Sequence, residues 1–188
     1  MISKANMMTP PPAMRKVLLS LGSNLGCRKE NLRACINQLE DSKTVNILGA
    51  SSLYESSPMY NLYQSDFINC VVEIETRLKS LELLAYTQLI EKNIGRKENL
   101  DRNQARKIDI DILTYGNEAI NQKGLIIPHP RIRERKFVLV PLFELKGNIS
   151  IPGYVEKIED LIKELDKNSD NIRQCKNKIN EKNISYSS

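Results

Sequence analysis

The chain has 188 residues, a formal net charge of +5 at pH 7 and 40% hydrophobic residues. That length suits one domain with a sizeable core. No apolar run approaches the roughly 20 residues that cross a bilayer, so we expect no membrane-spanning helix. The chain has 4 cysteines without CxxC spacing and 1 histidine. This excludes a zinc site built from them and predicts free thiols in a cytoplasmic protein.

Both ends of the chain are polar. Residues 1–14 contain three consecutive prolines, Pro10 to Pro12, and lack the apolar stretch of a secretory signal. Residues 168–188 are rich in Asn, Lys and Ser. Such segments bury too little apolar surface to offset the entropy lost on ordering. We therefore predict a disordered leader at 1–14, a single domain at 15–167 and a disordered tail at 168–188.

Alternation and helical periodicity predict the elements of that domain in chain order. A strand at 16–22 and a turn at 22–26 lead into a helix from Lys29. Strands follow at 45–56 and 67–76, then a helix from Ser80 to Gly95, a charged loop at 96–107 and a strand at 107–115. A minor strand is expected within 121–127, and a short buried helix or turn at 137–145. The order β-α-β-β-α-β predicts an α+β ferredoxin-like sandwich, with helices packed on one face of an antiparallel sheet.

Asp109 and Asp111 are the most informative residues of the 107–115 strand. Successive side chains of a strand point to opposite faces, so the two carboxylates share one face. Their Cα atoms should lie about 6.5–7 Å apart, a spacing at which carboxylates can bridge hard cations such as magnesium. Little counter-charge lies nearby in sequence, which predicts a repulsion that a divalent cation would relieve. The alternative is a solvated strand face, but the arginines at 96, 102 and 106 favour a metal–polyphosphate complex.

Other candidate residues are ambiguous from their pattern. His129 lies between two prolines that predict a rigid loop, where a lone histidine is more often structural than functional. Phe67 and Phe137 suit a hydrophobic core or a stacking platform equally well. The sequence contains neither GxGxxG nor GxxxxGK[ST]. Side chains would therefore have to hold the phosphates of any bound ATP.

Six collinear segments resemble those of the 6-hydroxymethyl-7,8-dihydropterin pyrophosphokinases, enzymes of folate biosynthesis. The segments are LSLGSNLG (19–26), SSLYESSP (51–58), DFINCVVEIET (66–76), LIEKNIGR (89–96), RKIDIDIL (106–113) and IPHPRIRERKFVLVPLFEL (127–145). The resemblance covers residues 16–153 and implies transfer of pyrophosphate from ATP to the hydroxymethyl group of a reduced pterin, with release of AMP.

The resemblance also implies roles for individual residues. Asp109 and Asp111 match the aspartates that hold two magnesium ions on ATP, and Arg96 and Arg106 match arginines that reach the phosphates from the two ends of a mobile loop at 97–105; these four are the expected catalytic residues. The remaining ATP-site matches are Gln88, Glu91, Ile112, His129 and Arg135. The matches to the pterin site are Gly22, Asn24, Ser56, Met59, Phe67, Asn69 and Phe137. We expect a cytoplasmic monomer that binds neither nucleic acid nor membrane.

Two departures from the family pattern concern the loop and the phosphate contacts. Many members have a tryptophan and a Gly-Pro or similar pair just before the arginine at position 106, whereas this chain has residues 103–105 (NQA) and no tryptophan. The loop would therefore be held differently on closure. Gly124 stands where some members have an arginine, so one contact with phosphate or adenine would be missing.

Three rival functions remain open from the sequence. Ferredoxin-like folds include RNA-recognition domains, but the 107–115 strand carries two acids where such domains present aromatic residues that stack on bases. A two-metal nuclease would need further carboxylate or histidine ligands. The third rival function is that of an inactive relative of these enzymes with only a regulatory role.

Overall fold

The computed structural model describes residues 12–59, 61–96, 104–166 and 172–178. Its strands are Arg15–Ser23 (β1), Val45–Ala50 (β2), Ser52–Ser56 (β3), Phe67–Thr76 (β4), Asp109–Tyr115 (β5), Ile120–Gln122 (β6), Leu125–Ile127 (β7) and Ile172–Lys178 (β8). Its helices are Arg28–Glu40 (α1), Ser80–Ile94 (α2), Lys136–Lys146 (α3) and Ile158–Asp166 (α4), with a 3-10 turn at Ile132–Glu134.

The main sheet is antiparallel, in the order β5-β1-β4-β3-β8. The strand predicted at 45–56 is divided into β2 and β3, and both pair with β4. β2 lies beside the C-terminal half of β4 and β3 beside its N-terminal half, so together they act as one bent strand. The central order then matches the β-α-β-β-α-β prediction, and the α+β fold class is confirmed. β6 and β7 form a separate hairpin.

Helices cover both faces of the sheet, so the prediction of helices on one face is wrong. On β1, Val17, Leu19 and Leu21 belong to the core cluster that includes α1 and α2. Leu18 belongs to a second cluster, with residues of α3 and α4. Leu18 adds apolar surface to the second face of β1, where Val71 of β4 and Leu113 of β5 also lie, so this face too must be covered to remove it from water. The helix or turn predicted at 137–145 is α3, and α4 was not predicted.

Strand β8 lies within the segment that was predicted to be a disordered tail. It pairs antiparallel with β3, with Ser56 opposite Ile172 and Tyr54 opposite Gln174. Its sequence is polar and basic, as is typical of an edge strand. It therefore lacks the apolar alternation from which a strand is predicted. Residues 1–11 of the leader predicted at 1–14, residues 97–103 of the predicted charged loop, and residues 168–171 and 179–188 of the predicted tail lie outside the described part of the chain.

Helices α3 and α4 cover only part of their face of the main sheet. On β1, β4 and β5 the side chains on this face change from apolar (Leu18, Val71, Leu113) to polar within two residues along each strand. The polar end of this face carries the half-buried Asp109 and Asp111 and the buried Asn69 and Gly22. Among the described residues, no helix is both long and apolar enough to cross a membrane.

Candidate active site

A cleft lies at this open end of the sheet face. It is lined by residues of β1, β4 and β5, by the loop that follows β3, and by the start of α3. Ten predicted site residues line it: Gly22, Ser56, Met59, Phe67, Asn69, Arg106, Asp109, Asp111, Arg135 and Phe137. Six others do not: Asn24, Gln88, Glu91, Arg96, Ile112 and His129.

The apolar half of the cleft is formed by Phe67 and Phe137. Both are half-buried rather than enclosed in a core, and both line the same cleft. Their arrangement favours a stacking platform over a purely structural role. Asn69, between β1 and β3, donates a hydrogen bond from Nδ2 to Ser56 Oγ at 2.9 Å. This bond orients the amide and ties β4 to the end of β3.

Gly22 keeps the floor of this half open. A Cβ atom at position 22 would lie 3.0 Å from Asn69 Oδ1 and 3.7 Å from the Phe67 ring. The first distance is shorter than ordinary van der Waals contact, so any larger residue would displace the Asn69 amide. The close approach of β4 therefore favours glycine at the start of the GSN turn.

The polar half of the cleft is formed by Asp109, Asp111, Arg106 and Arg135, and Arg96 contacts Asp109 from outside the lining. Asp109 Oδ1 accepts hydrogen bonds from Arg96 Nη1 at 3.1 Å and Arg106 Nη1 at 2.8 Å. Asp111 Oδ2 accepts one from Arg135 Nη1 at 2.5 Å. The expectation of an uncompensated repulsion between the aspartates is therefore wrong, because each carboxylate has an arginine partner. One of these arginines, Arg135, lies 24 residues from its partner Asp111 in sequence. The residues next to the aspartates in sequence therefore do not reveal all of their partners.

Arg135 connects the two halves. Besides its ion pair with Asp111, its guanidinium carbon lies 5.7 Å from the centroid of the Phe137 ring. Its Nε atom is buried and has no hydrogen-bond partner among the residues that the structure describes. A buried donor of this kind costs free energy unless it is satisfied. Arg135 therefore holds one unsatisfied buried donor beside the acidic and aromatic halves of the cleft.

Glu91 lies behind the aspartates rather than in the cleft. It is 5% exposed, accepts a hydrogen bond at 2.8 Å from the backbone N–H of Ile110, and forms an ion pair with Arg96. Burial raises the pKa of Glu91 to about 7, against the opposing effects of the Ile110 N–H and of Arg96. Its geometry is that of a group that positions Arg96 and β5.

The other predicted ATP-site residues surround strand β5. Ile112 is buried in the core beneath the sheet, and Gln88 is exposed on α2. His129 Nε2 lies 3.8 Å from Asp111 Oδ2, and its backbone N–H donates to Leu113 O at 2.9 Å. Burial lowers the pKa of His129, which favours the neutral imidazole. Gly124 lies in the β6–β7 turn with φ of 84°, a conformation that strains other residues and explains the glycine there.

Asn24 joins the two loops beside the cleft. Its Oδ1 accepts a hydrogen bond from the Arg106 N–H, and its Nδ2 donates one to Gln64 Oε1, both at 2.8 Å. Asn24, which was predicted to lie in the pterin site, thus links the loop after β3 to the segment that leads into β5. Sequence reasoning did not identify Gln64, Gln104 or Ser20, which also line the cleft. No motif or spacing distinguishes them.

Comparisons with known proteins show the family of the chain. A family model described as 7,8-dihydro-6-hydroxymethylpterin-pyrophosphokinase matches residues 18–147. The 2-amino-4-hydroxy-6-hydroxymethyldihydropteridine pyrophosphokinase of Haemophilus influenzae is 39% identical over 146 residues, 78% of this chain and 90% of that protein. The protein of the same name from Bacillus subtilis is 42% identical over 127 residues, 68% of this chain and 75% of that one.

Two longer proteins also match. The folic acid synthesis protein fol1 of Pneumocystis carinii is 44% identical over 151 residues, and the match covers 77% of this chain but 20% of that protein. A crystal structure of Plasmodium falciparum HPPK-DHPS has a TM-score of 0.67 at 17% identity, covering 81% of this chain and 46% of that one. This chain therefore spans only part of these relatives. From the family match over residues 18–147 and the two bacterial relatives, the chain belongs to the 7,8-dihydro-6-hydroxymethylpterin-pyrophosphokinase family.

Proposed function

We propose that the chain transfers the pyrophosphoryl group of ATP to the hydroxymethyl oxygen of 6-hydroxymethyl-7,8-dihydropterin and releases AMP. Pyrophosphokinase activity in folate biosynthesis follows from family membership. The observation that carries the proposal for this chain is the composition of its cleft. An aromatic half suited to a flat heterocycle adjoins an acidic and arginine-rich half suited to a polyphosphate.

The aromatic half would bind the pterin. Phe67 and Phe137 offer two ring faces on which a heterocycle can stack. Asn69 offers an amide to the edge of the ring, held in place by Ser56. The backbone of Ser56 and Met59 borders the same space, and Gly22 leaves room for the ring. In this arrangement the hydroxymethyl group would be directed towards Arg135 and Asp111.

The acidic half fits magnesium. Asp109 and Asp111 project from the same face of β5 into the cleft, and each is 30% exposed. The described residues contain no cluster of three or more His, Cys, Asp and Glu side chains. The protein would thus supply two carboxylates, and phosphate oxygens and water would complete the coordination of two ions, as is common for magnesium–nucleotide complexes. When bound, the ions would neutralise charge on the phosphate oxygens.

Arg96 and Arg106 would exchange partners when ATP binds. Both donate to Asp109 Oδ1 in this structure. A carboxylate that binds a metal releases these guanidinium groups, which can then donate to phosphate oxygens and stabilise charge in the transition state. Glu91 would hold Arg96 at the end of the loop. We propose that residues 97–105 close as a lid that excludes water; residues 97–103 lie outside the described part of the chain.

The adenosine would lie along the outer edge of β5. β5 is an edge strand of the main sheet, and its Ile110 N–H and Leu113 O already bond Glu91 and His129. The outward backbone groups at Ile112 would be available to a ligand, although the Ile112 side chain is buried. Gln88 is exposed on α2, which packs against β5. His129 contacts the end of β5 from the other side through Leu113 O. Backbone contacts at Ile112 together with the Gln88 and His129 side chains form the proposed site.

The expected state of the protein is a cytoplasmic monomer that uses ATP and reduced pterin and binds no nucleic acid. The 4 cysteines described here are free thiols, which is compatible with a reducing compartment. Sedimentation of the purified chain would test the oligomeric state. We also propose residues 15–167 as the catalytic domain, with β8 as an addition to its sheet.

The decisive experiment is an assay of AMP formation from ATP and 6-hydroxymethyl-7,8-dihydropterin. Turnover that requires the pterin and magnesium, and that yields AMP rather than ADP, is the expected result. Hydrolysis of ATP without pterin, or formation of ADP, would contradict the proposal. A gel shift with RNA at the same protein concentration tests the rival binding module, for which we expect no complex.

A further inference from the structure

Strand β8 lies outside the residues that the family model matches, which end at 147. It nevertheless pairs with the strand that borders the aromatic half of the cleft. Ser56, Glu55 and Tyr54 of β3 lie opposite Ile172, Arg173 and Gln174 of β8. Without β8, this part of β3 would be the edge of the sheet, with unpaired backbone groups. β8 therefore converts the substrate-side end of β3 from an edge into an internal strand.

An ion-pair chain joins β8 to both ends of the loop at 57–66. Arg173 donates from Nε at 2.9 Å and from Nη2 at 2.5 Å to Glu55 Oε2. Glu55 Oε1 lies 2.8 Å from Arg28 Nη1, which also donates to the carbonyl of Asp66 at 2.7 Å. Glu55 is the second residue before the loop and Asp66 is its last residue. The chain of contacts thus clamps the two ends of the loop to each other and to β8.

The clamped loop forms one wall of the cleft. Ser57, Pro58, Met59, Asn61 and Gln64 all line it. Glu55 is 15% exposed although Arg173 is 79% exposed, so the carboxylate is held in a largely enclosed position. Cys175 of β8 packs against the core cluster on the α1 side, which anchors the strand independently of the ion pair. The strand is thus attached by packing and oriented by Arg173.

We infer that β8 is a positioning element for the pterin half of the active site, and that Arg173 is its key positioning residue. The inference rests on the proposed pterin site. β8 holds the Ser56 end of β3 and the first residues of the loop in the geometry that binds the substrate. The ATP half depends on β5 and on α2, which packs against β5, and β5 and β8 lie at opposite edges of the main sheet. Loss of the contact should therefore change pterin binding and leave ATP binding unaffected.

The test uses the full chain with Arg173→Ala, Arg173→Lys and the control Arg33→Ala, which removes an exposed arginine–glutamate pair within α1. We expect Arg173→Ala to raise the KM for pterin about 3- to 5-fold while the KM for ATP stays the same. Arg173→Lys keeps the charge but loses the two-nitrogen contact, so it should lie between the wild type and alanine. Arg33→Ala should match the wild type. A chain ending at residue 171 should show a rise of more than about 10-fold.

Amide hydrogen exchange without ligands gives a second readout that does not depend on activity. Arg173→Ala should speed exchange at residues 54–56 and 61–66 and leave β5 unchanged. Absence of pyrophosphokinase activity in the wild type would contradict the proposed function. The exchange rates at residues 54–56 and 61–66 would still test whether β8 holds this part of the chain. Unchanged exchange at residues 54–56 would overturn the inference, as would an equal rise in the KM values of both substrates.

Discussion

Replacing Asp109 or Asp111 with asparagine separates the two roles that the structure gives to each carboxylate. Asparagine keeps the shape of the side chain but removes the charge that would bind magnesium. The same charge forms ion pairs with Arg96 and Arg106 at Asp109, and with Arg135 at Asp111. We therefore expect effects on both catalysis and stability. The two effects are measured separately.

The expected loss of stability is small and follows from the exposure of these pairs. Asp109 and Asp111 are each 30% exposed, and partly exposed ion pairs contribute about 0.5–1 kcal/mol. Each variant should therefore be about 1 kcal/mol less stable, a shift in Tm of about 2–4 °C for a domain of this size. Repulsion between the aspartates alone would predict a gain in stability. Because the ion pairs with arginine outweigh this repulsion, we expect a loss of stability instead.

Turnover should fall far more than stability. Loss of one charge that organises the reacting phosphates should lower kcat by at least about 100-fold. The assay is AMP formation at saturating ATP across a magnesium titration, with thermal melts of the same samples. Asp41→Asn, at an exposed position after α1, serves as the control and should resemble the wild type. Near-normal turnover in both active-site variants would refute the metal site, and a raised Tm in both would refute the ion-pair argument.

Three further predictions concern the cleft and its support. Phe137→Ala should weaken pterin binding about 5- to 150-fold, the equivalent of about 1–3 kcal/mol of stacking, whereas Phe143→Ala on the same helix, outside the cleft, should not; equal affinities in calorimetric titrations would assign Phe137 to the core. Gly22→Ala should raise the KM for pterin but not for ATP, because its Cβ would lie 3.0 Å from Asn69 Oδ1; unchanged kinetics would show that Asn69 accommodates the methyl group. Burial raises the pKa of Glu91 from 4.5 to about 7. The resulting contribution of Glu91 to the free energy of unfolding is fully present below pH 4.5 and is lost as the pH rises through about 7. Relative to Glu91→Gln, the wild type should therefore lose about 3 kcal/mol between pH 4 and pH 8; parallel melting curves across that range would contradict the assigned pKa.

Local pattern determined much of the candidate site. The alternation of RKIDIDIL predicts both aspartates on one strand face, and in the structure both line the cleft. The strands at 67–76 and near 107–115 and the helix from Ser80 were also predicted, because each has its own apolar periodicity. The six collinear segments identified the family. These features depend on residues close together in sequence, so the sequence alone was sufficient.

Long-range contacts were decided only by the tertiary structure. The partners of Asp111, the link from Asn24 to Gln64, and the position of Glu91 behind β5 each join segments that are distant in sequence. The second helical layer also escaped prediction, since apolar residues on both faces of a strand do not say which helix covers each face. β8 was predicted as disordered because its residues are polar. Its order comes from the backbone of β3 and from Glu55, and an edge strand paired in this way needs no apolar alternation of its own.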